Sequence, residues 1–289
     1  MVWAPRSPPA RTFVTAAQPS SAAARPGGWS PRAYFWDGGF FAIGRATGTV
    51  PPHSHHAFQI TIGLSGPVRF SEGDEEWREY GGAVIMADQR HSYDANGQLG
   101  VMLFVDPETR EGHWLRRSLR ETITAITPAR LDTLIPPLRA FWEEPLDASG
   151  TAELVLATVR GLCAGPPPPY ALDERIARAI AIVRQMEAPK IRLEEVADAV
   201  FLSPSRFQHL FSDEVGLPFR RYVLWRKLTR SLVEIGRGAT MSAAAHASGF
   251  ADSAHLTRTF HQMFGISPTV MVGTAEFWEI PAPFDLQGR

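Results

Sequence analysis

Gly249-Phe250-Ala251-Asp252-Ser253-Ala254-His255-Leu256-Thr257-Arg258-Thr259-Phe260 is the stretch that decides how the second half of this chain folds. Gly249 can take positive φ in a tight turn. Asp252 or Ser253 then offers a side-chain oxygen to the orphan N–H groups of a helix start. Leu256, Phe260 and Met263 recur at spacings of four and three, the apolar stripe of that helix. Asp252, Ser253, Ala254, Thr257 and Arg258 are left on its outer face, with Asp252 best read as the cap. Just upstream, Met241 to Ala247 reads as a short alanine-rich helix, so the segment is a helix, a turn and a second helix.

The same arrangement occurs earlier. Val196, Ala197 and Val200 give a first helix its inward face, Phe201-Leu202 turns the chain, and Ser203 caps a second helix with Pro204 at its first position, where no donor is needed. Phe207, Leu210 and Phe211 form the buried stripe. Ser205, Arg206, Gln208 and His209 face outward and can reach base edges or phosphates. Pro218 to Ile235, with Leu224, Leu228, Leu232 and Ile235 on one stripe, joins the two units. A stiff connecting helix would hold the two protruding helices for successive major grooves, about 34 Å apart. Arg220, Arg221, Arg226, Lys227 and Arg230 crowd this helix: they meet phosphates, or Arg226 pairs with an internal acid.

Gly249 to Phe260, followed by Phe264-Gly265-Ile266-Ser267-Pro268, resembles the signature of the AraC/XylS family of bacterial transcription regulators. The resemblance spans roughly residues 172–272 and includes the Leu-x-x-Val-Ala start of the first unit, Phe211 with Gly216, and Arg226. It implies a double helix-turn-helix domain inserting two recognition helices into adjacent major grooves. The positions it assigns to DNA are Ser205, Arg206, Gln208 and His209 on the first helix and Ser253, Ala254, Thr257 and Arg258 on the second. Promoter DNA, RNA polymerase and a second copy of the chain would be the partners, with activation as the expected mode.

The first half reads differently. From Tyr34 to about Val105, short β-type runs (Phe40 to Ile43, Phe58 to Leu64, Ala83 to Met86, Val101 to Val105) are broken by Gly, Pro and Asp, the pattern of an antiparallel β domain. After Arg110 the period changes to three and four in Trp114, Leu115 and Leu119, in Leu131 to Phe141, and in Leu154 to Leu162. Three helices follow the sheet, covering one face of it or forming a subunit interface. Pro166 to Pro169 cannot continue a helix and mark the boundary.

Read as one strand, residues 53 to 64 put His53, His55, Ala57, Gln59, Thr61 and Gly63 on one face and His56, Phe58, Ile60, Ile62 and Leu64 on the other. The second is the packing face. The first, joined by His91 from a neighbouring strand, suits a divalent metal, a metal-free small-molecule pocket, or a structural hydrogen-bonded cluster. Gly48 to Gln59 resembles the first motif of the cupin superfamily, and Gly82 to His91 the second more weakly, with Met86 and Asp88 where proline and glycine are usual. The resemblance implies a cupin-like barrel binding a ligand through His53, His55, Gln59, His91 and Tyr93, or a metal through His53, His55, Gln59 and His91. Gln59 stands where most metal cupins place a carboxylate. Trp36, Phe40, Trp77, Tyr80, Tyr93 and Phe104 would line the pocket or belong to the core.

Composition supports globular domains. Of the 289 residues 44% are hydrophobic, with 29 Lys plus Arg against 30 Asp plus Glu. Residues 171–270 carry 13 basic against 10 acidic groups, an excess too small to argue for nucleic acid unaided. Cys163 is the single cysteine, so no internal disulfide forms and a reducing cytoplasm is expected. No apolar run is long enough to span a bilayer. No Ser-His-Asp order, P-loop or dinucleotide fingerprint is apparent.

The expected architecture is an α+β multidomain chain. It comprises a flexible arm over 1–27, a cupin-like antiparallel β-barrel over 28–109, a helical connector or dimerisation region over 110–164, a polyproline linker over 165–171, an all-α double helix-turn-helix domain over 172–272, and a tail over 273–289. The expected function is a cytoplasmic, nucleoid-associated, ligand-responsive transcription regulator without catalysis. The rival is a metal-dependent cupin enzyme or metal sensor fused to a DNA-binding domain.

Overall fold

The computed structural model describes residues 31–36, 39–73, 76–119, 121–185, 191–272 and 275–284. The expected arm over 1–27 lies outside them. The apolar runs of the first half become strands β1 (Arg32–Trp36), β2 (Gly39–Arg45), β3 (Thr49–His53), β4 (Phe58–Gly63), β5 (Val68–Ser71), β6 (Arg78–Tyr80), β7 (Gly82–Ile85), β8 (His91–Asp94) and β9 (Leu99–Val105). Helix α1 (Arg110–Ser118), strand β10 (Ile123–Ala125) and helices α2 (Pro128–Glu143) and α3 (Ala148–Leu162) follow. The strands form a seven-stranded sheet, with β11 (Glu276–Glu279) at its far edge, in the order β10-β7-β4-β9-β2-β1-β11, and a four-stranded sheet ordered β3-β8-β5-β6. Among the described residues no ladder joins the two, so the expected closed barrel is here a pair of sheets.

The expected single strand over 53–64 is broken. His55 turns its ring back so that Nδ1 donates to the Ala57 carbonyl at 2.9 Å, and the chain bends between β3 of the small sheet and β4 of the large one. Beyond the bend the alternation holds. Phe58, Ile60, Ile62 and Leu64 pack with Leu134, Leu138, Phe141, Val155 and Val159, so α2 and α3 cover the outer face of the large sheet. Gln59 and Thr61 take the opposite face, toward the small sheet.

The second half is helical: α4 (Glu174–Gln185), α5 (Leu193–Ala199), α6 (Pro204–Val215), α7 (Phe219–Gly236), α8 (Met241–Ala247), α9 (Ser253–Phe264) and α10 (Pro268–Val272). Two cores fill it. Ile176, Val196, Phe207, Phe211 and Tyr222 form the first. In the second, Trp225, Leu228, Leu232, Phe260 and Phe264 pack directly on Phe35, Phe40, Ala42 and Phe104 of the large sheet. Burying one such side chain stabilises by about 1.5–3 kcal/mol, so this shared core makes docking of the helical half part of the fold.

Sequence periodicity left β10, α10 and β11 unread. The tail over 273–289 supplies β11, which pairs in parallel with β1, Arg32 opposite Glu276 through Phe35 opposite Glu279. The polyproline segment is anchored too: the Tyr170 hydroxyl donates to the Glu108 carbonyl, and its ring lies 5.0 Å from that of His113.

Candidate nucleic-acid interface and histidine site

Each outward helix is built by its caps. Ser203 Oγ accepts from the Arg206 N–H at 3.3 Å, Pro204 occupies the first turn, and Gly216 at φ +81° ends α6. Asp252 accepts from the His255 N–H at 2.6 Å and Gly265 at φ +71° ends α9. Burial of Phe207 and Phe211 in α6, and of Leu256 and Phe260 in α9, sets the rotation of each helix. Ser205, Arg206, Gln208 and His209 are accordingly exposed, as are Ala254 and Arg258, with Ser253 and Thr257 half-buried. His209 Nδ1 donates to Ser205 O at 2.8 Å and Thr257 Oγ1 to Ser253 O at 2.8 Å, which leaves Arg206, Gln208 and Arg258 as the long outward donors.

The linking helix divides its cations. Arg220 and Arg221 are exposed, and Arg221 lies 3.4 Å from Asp88 of the β half. Lys227 donates to Gly249 O at 2.8 Å, bracing the second turn. Arg226 is buried, 3.8 Å from Asp106 Oδ2, so the acid it faces belongs to the other half of the molecule. Burial lowers its pKa to about 10.

The histidines converge between the sheets. One nitrogen from each of His53, His55 and His91 lies within 4.8 Å of the others, and all three side chains are buried. Each Nδ1 faces a backbone carbonyl: His53 that of Pro51 at 2.9 Å, His55 that of Ala57 at 2.9 Å, His91 that of Gln89 at 3.0 Å. A carbonyl only accepts, so each Nδ1 carries the proton and each Nε2 presents a lone pair. Burial holds the His55 ring down to about 3, reinforced by His53, and burial and His55 hold His91 well below its ordinary value. His55 Nε2 and His91 Nε2 lie 3.0 and 3.1 Å from Gln59 Oε1, lone pairs against a lone pair. Two arrangements satisfy this geometry. A cation takes the nitrogens and Oε1 together, or the Gln59 amide turns end for end, donating to both rings while accepting from Thr61.

Beside the rings is a cavity of about 20 Å³ lined by Val50, His53, Gln59, Tyr93, Met102, Phe104, and Phe264, Ile266 and Met271 of the helical half. That is room for about one water or ion. Of the six aromatic candidates only Tyr93 and Phe104 line it. Phe40 stacks on Phe104 in the interdomain core at 4.5 Å, Trp36 meets Phe284 at 5.6 Å, Tyr80 packs on Phe70, and Trp77 is 39% exposed.

Comparison with known proteins fits this geometry. A family model described as a helix-turn-helix domain matches residues 196–272. The probable transcriptional regulator LumQ of Photobacterium leiognathi is 30% identical over 226 residues, covering 75% of this chain and 90% of that protein. The chain belongs to the AraC/XylS family of transcriptional regulators. The transcriptional activator RhrA of Rhizobium meliloti is 36% identical over 80 residues, 27% of this chain and 25% of that protein. ToxT of Vibrio cholerae shares the fold across both halves, with TM-score 0.51 at 13% identity over 84% of this chain and 96% of that one. A second ToxT structure, bound to (E)-4-(8-methylnaphthalen-1-yl)but-3-enoic acid, gives TM-score 0.53 at 12% identity over 85% and 99%. Like its relatives, this AraC/XylS protein is a DNA-binding transcription regulator. No helix among its described residues is long and apolar enough to cross a membrane.

Sequence reading missed the cluster where the two halves of this AraC/XylS regulator meet. His56 Nδ1 lies 3.2 Å from Asp88 and its Nε2 3.4 Å from Glu108. Burial opposes charge on His56, but hydrogen bonds to Asp88 and Glu108 outweigh it and raise the ring to about 9. Asp106 accepts from Trp225 Nε1 at 3.0 Å and sits 3.8 Å from both Arg184 and Arg226. Burial and then Glu108 push its carboxyl up. The available signal was Asp106-Pro107-Glu108, two acids directly after a fully apolar strand end.

Proposed function

We propose that this regulator reads promoter DNA with Ser205, Arg206, Gln208 and His209 of α6 and Ser253, Ala254, Thr257 and Arg258 of α9, and that an effector at the histidine site modulates that reading. The observation that carries the effector link is the seat of α9. Gly265, at its end, is so close to β3 that a Cβ there would lie 2.6 Å from Val50 Cγ1 and 3.1 Å from His53 Nδ1. Phe264 faces the His55 ring at 6.2 Å. The second reading helix therefore ends on the wall of the site.

A cavity of about 20 Å³ takes an ion as it stands, whereas small-molecule pockets span roughly 300–1,000 Å³. An organic effector at His53, His55, Gln59, His91 and Tyr93 must part α9 from β3. Its affinity then differs between docked and parted arrangements, the requirement for ligand control. The naphthalenyl butenoic acid held by ToxT supports a small organic molecule as the effector class in this fold.

A metal sensor is the second reading, favoured by three converging imidazoles whose Nδ1 atoms are all tied to carbonyls. His53, His55 and His91 with Gln59 would hold a divalent ion, which would neutralise the facing lone pairs. We further read the protein as a cytoplasmic activator acting on RNA polymerase as a homodimer, in line with the named activity of RhrA. The proposed domain limits are a cupin-like sensor over 28–109, a helical connector over 110–164 and the DNA-binding unit over 172–272, with β10 and β11 completing the sensor's large sheet.

Pull-down of genomic fragments with the full chain yields the operator. Arg206→Ala with Gln208→Ala is expected to weaken binding and relax specificity over one half-site by about 1–3 kcal/mol per base contact. Unchanged footprints would end the DNA assignment. Titration of Zn²⁺ and Ni²⁺ into wild type and His55→Ala His91→Ala, with operator affinity measured at each point, tests the metal reading, which requires binding by the wild type alone.

A further inference from the structure

The two helix-turn-helix turns share one hydrogen-bond pattern. Phe201 N–H donates to Asp198 O at 3.0 Å and Leu202 N–H to Ala197 O at 3.0 Å; Gly249 N–H donates to His246 O at 3.0 Å and Phe250 N–H to Ala245 O at 2.9 Å. The central residue is left-handed in both, φ +75° at Gly249 and +58° at Phe201. Glycine takes that conformation without steric cost, while a phenylalanine sets its Cβ against the following carbonyl. The inward packing is done by the next residue in each turn, Phe250 buried and Leu202 half-buried. Phe201 itself is 86% exposed, more than any other large apolar side chain among the described residues, so no burial offsets its strain.

A strained backbone residue that also displays an aromatic ring to solvent points to a use outside the fold. Phe201 stands two residues before the Ser203 cap and continues the exposed strip of Ser203, Pro204, Ser205 and Arg206 at the start of α6. We propose that Phe201 is a DNA contact, its ring packing on a deoxyribose or a thymine methyl beside the bases that α6 reads. Aromatic packing on the thymine methyl is an established form of base contact, and a ring fixed on a short turn reaches it with little entropy to lose. The inference rests on α6 being a reading helix.

The test uses the full chain and a duplex enriched from a random-sequence pool by the wild-type protein. Phe201→Gly relieves the strain, so its thermal midpoint should equal that of the wild type or exceed it by a few degrees, while affinity for the duplex falls roughly fivefold or more. Replacing thymines singly by deoxyuridine locates the contact: a drop for the wild type absent in Phe201→Gly puts the ring on a methyl, and no such drop puts it on the sugar. Phe201→Asn, which tolerates the left-handed region, repeats the measurement should the glycine variant fold poorly. Affinity within twofold of wild type overturns the proposal, and lost promoter output with unchanged affinity would assign Phe201 to a protein partner instead. Arg206→Ala separates the two claims. Loss with Arg206→Ala alone leaves the reading helix standing and removes Phe201 from it, whereas no loss with either variant removes both.

Discussion

Trp225, in the helix joining the two helix-turn-helix units, donates its indole N–H across 3.0 Å to Asp106, the residue that follows the central strand of the large sheet. Both side chains are buried. The bond lies inside a shared apolar core, so it sets the register in which that core closes.

Trp225→Phe keeps most of the apolar contact and removes the donor. Leaving a buried acceptor unpaired costs about 1–3 kcal/mol. Urea unfolding at pH 7 should show that loss; a midpoint equal to the wild type would mean the bond adds no net stability.

His56 makes docking sensitive to alkali. Its folded pKa, raised to about 9 from an ordinary 6.5, means that the folded protein holds the proton more tightly. The stabilisation is complete below pH 6.5 and disappears as pH climbs through 9, by on the order of 3 kcal/mol. His55 and His91 act oppositely. With depressed values they favour the fold above pH 6.5 and oppose it on acidification, toward about 3 for His55. Thermal midpoints are therefore expected to fall as pH climbs through 9, and His56→Gln should make that alkaline limb shallower while leaving the share contributed by the raised Asp106 carboxyl.

Gly265→Ala brings two penalties together. The backbone sits at φ +71°, and the new Cβ would meet Val50 Cγ1 at 2.6 Å and Pro51 O at 2.9 Å. Gly238 is a control at φ +90° with nothing within 4 Å. Both variants should lose about 1–2 kcal/mol to strain. Only Gly265→Ala should also unseat α9, detected as faster hydrogen exchange in β3, and equal exchange in the two variants would rule out that seat.

Asp252→Ala removes the cap of α9 and should cost about 0.5–2 kcal/mol. Amide exchange would report fraying confined to the first turn, next to Ser253 and Ala254. Operator affinity should fall with it, since these side chains would no longer be held in place.

Much of the helical half was legible because its signals are local. Ser203, Pro204, Gly216, Asp252 and Gly265 each specify a backbone geometry within a few residues, and the apolar stripes fix which face turns outward. In the β half alternation gave strand identity and the Phe58-to-Leu64 packing face, but it ran through the bend at 54–57, where a histidine ring replaces ladder pairing. Arg226 shows the limit from the other side: the sequence left phosphate and an acid inside its own domain equally open, and the acid it faces lies 120 residues earlier, in the other half of the molecule.

The order of the residues, then, was enough for the caps, the turns, the apolar faces and the family, because each depends on neighbours three or four positions away. Tertiary packing settled what depends on remote partners. It brought His91 to His53 and His55, set β11 beside β1, and paired Asp106 with Trp225 and Arg226. Hydrogen bonds and burial act over a few ångströms of space whatever the separation along the chain, and no periodicity in the amino-acid order records which distant segments come that close.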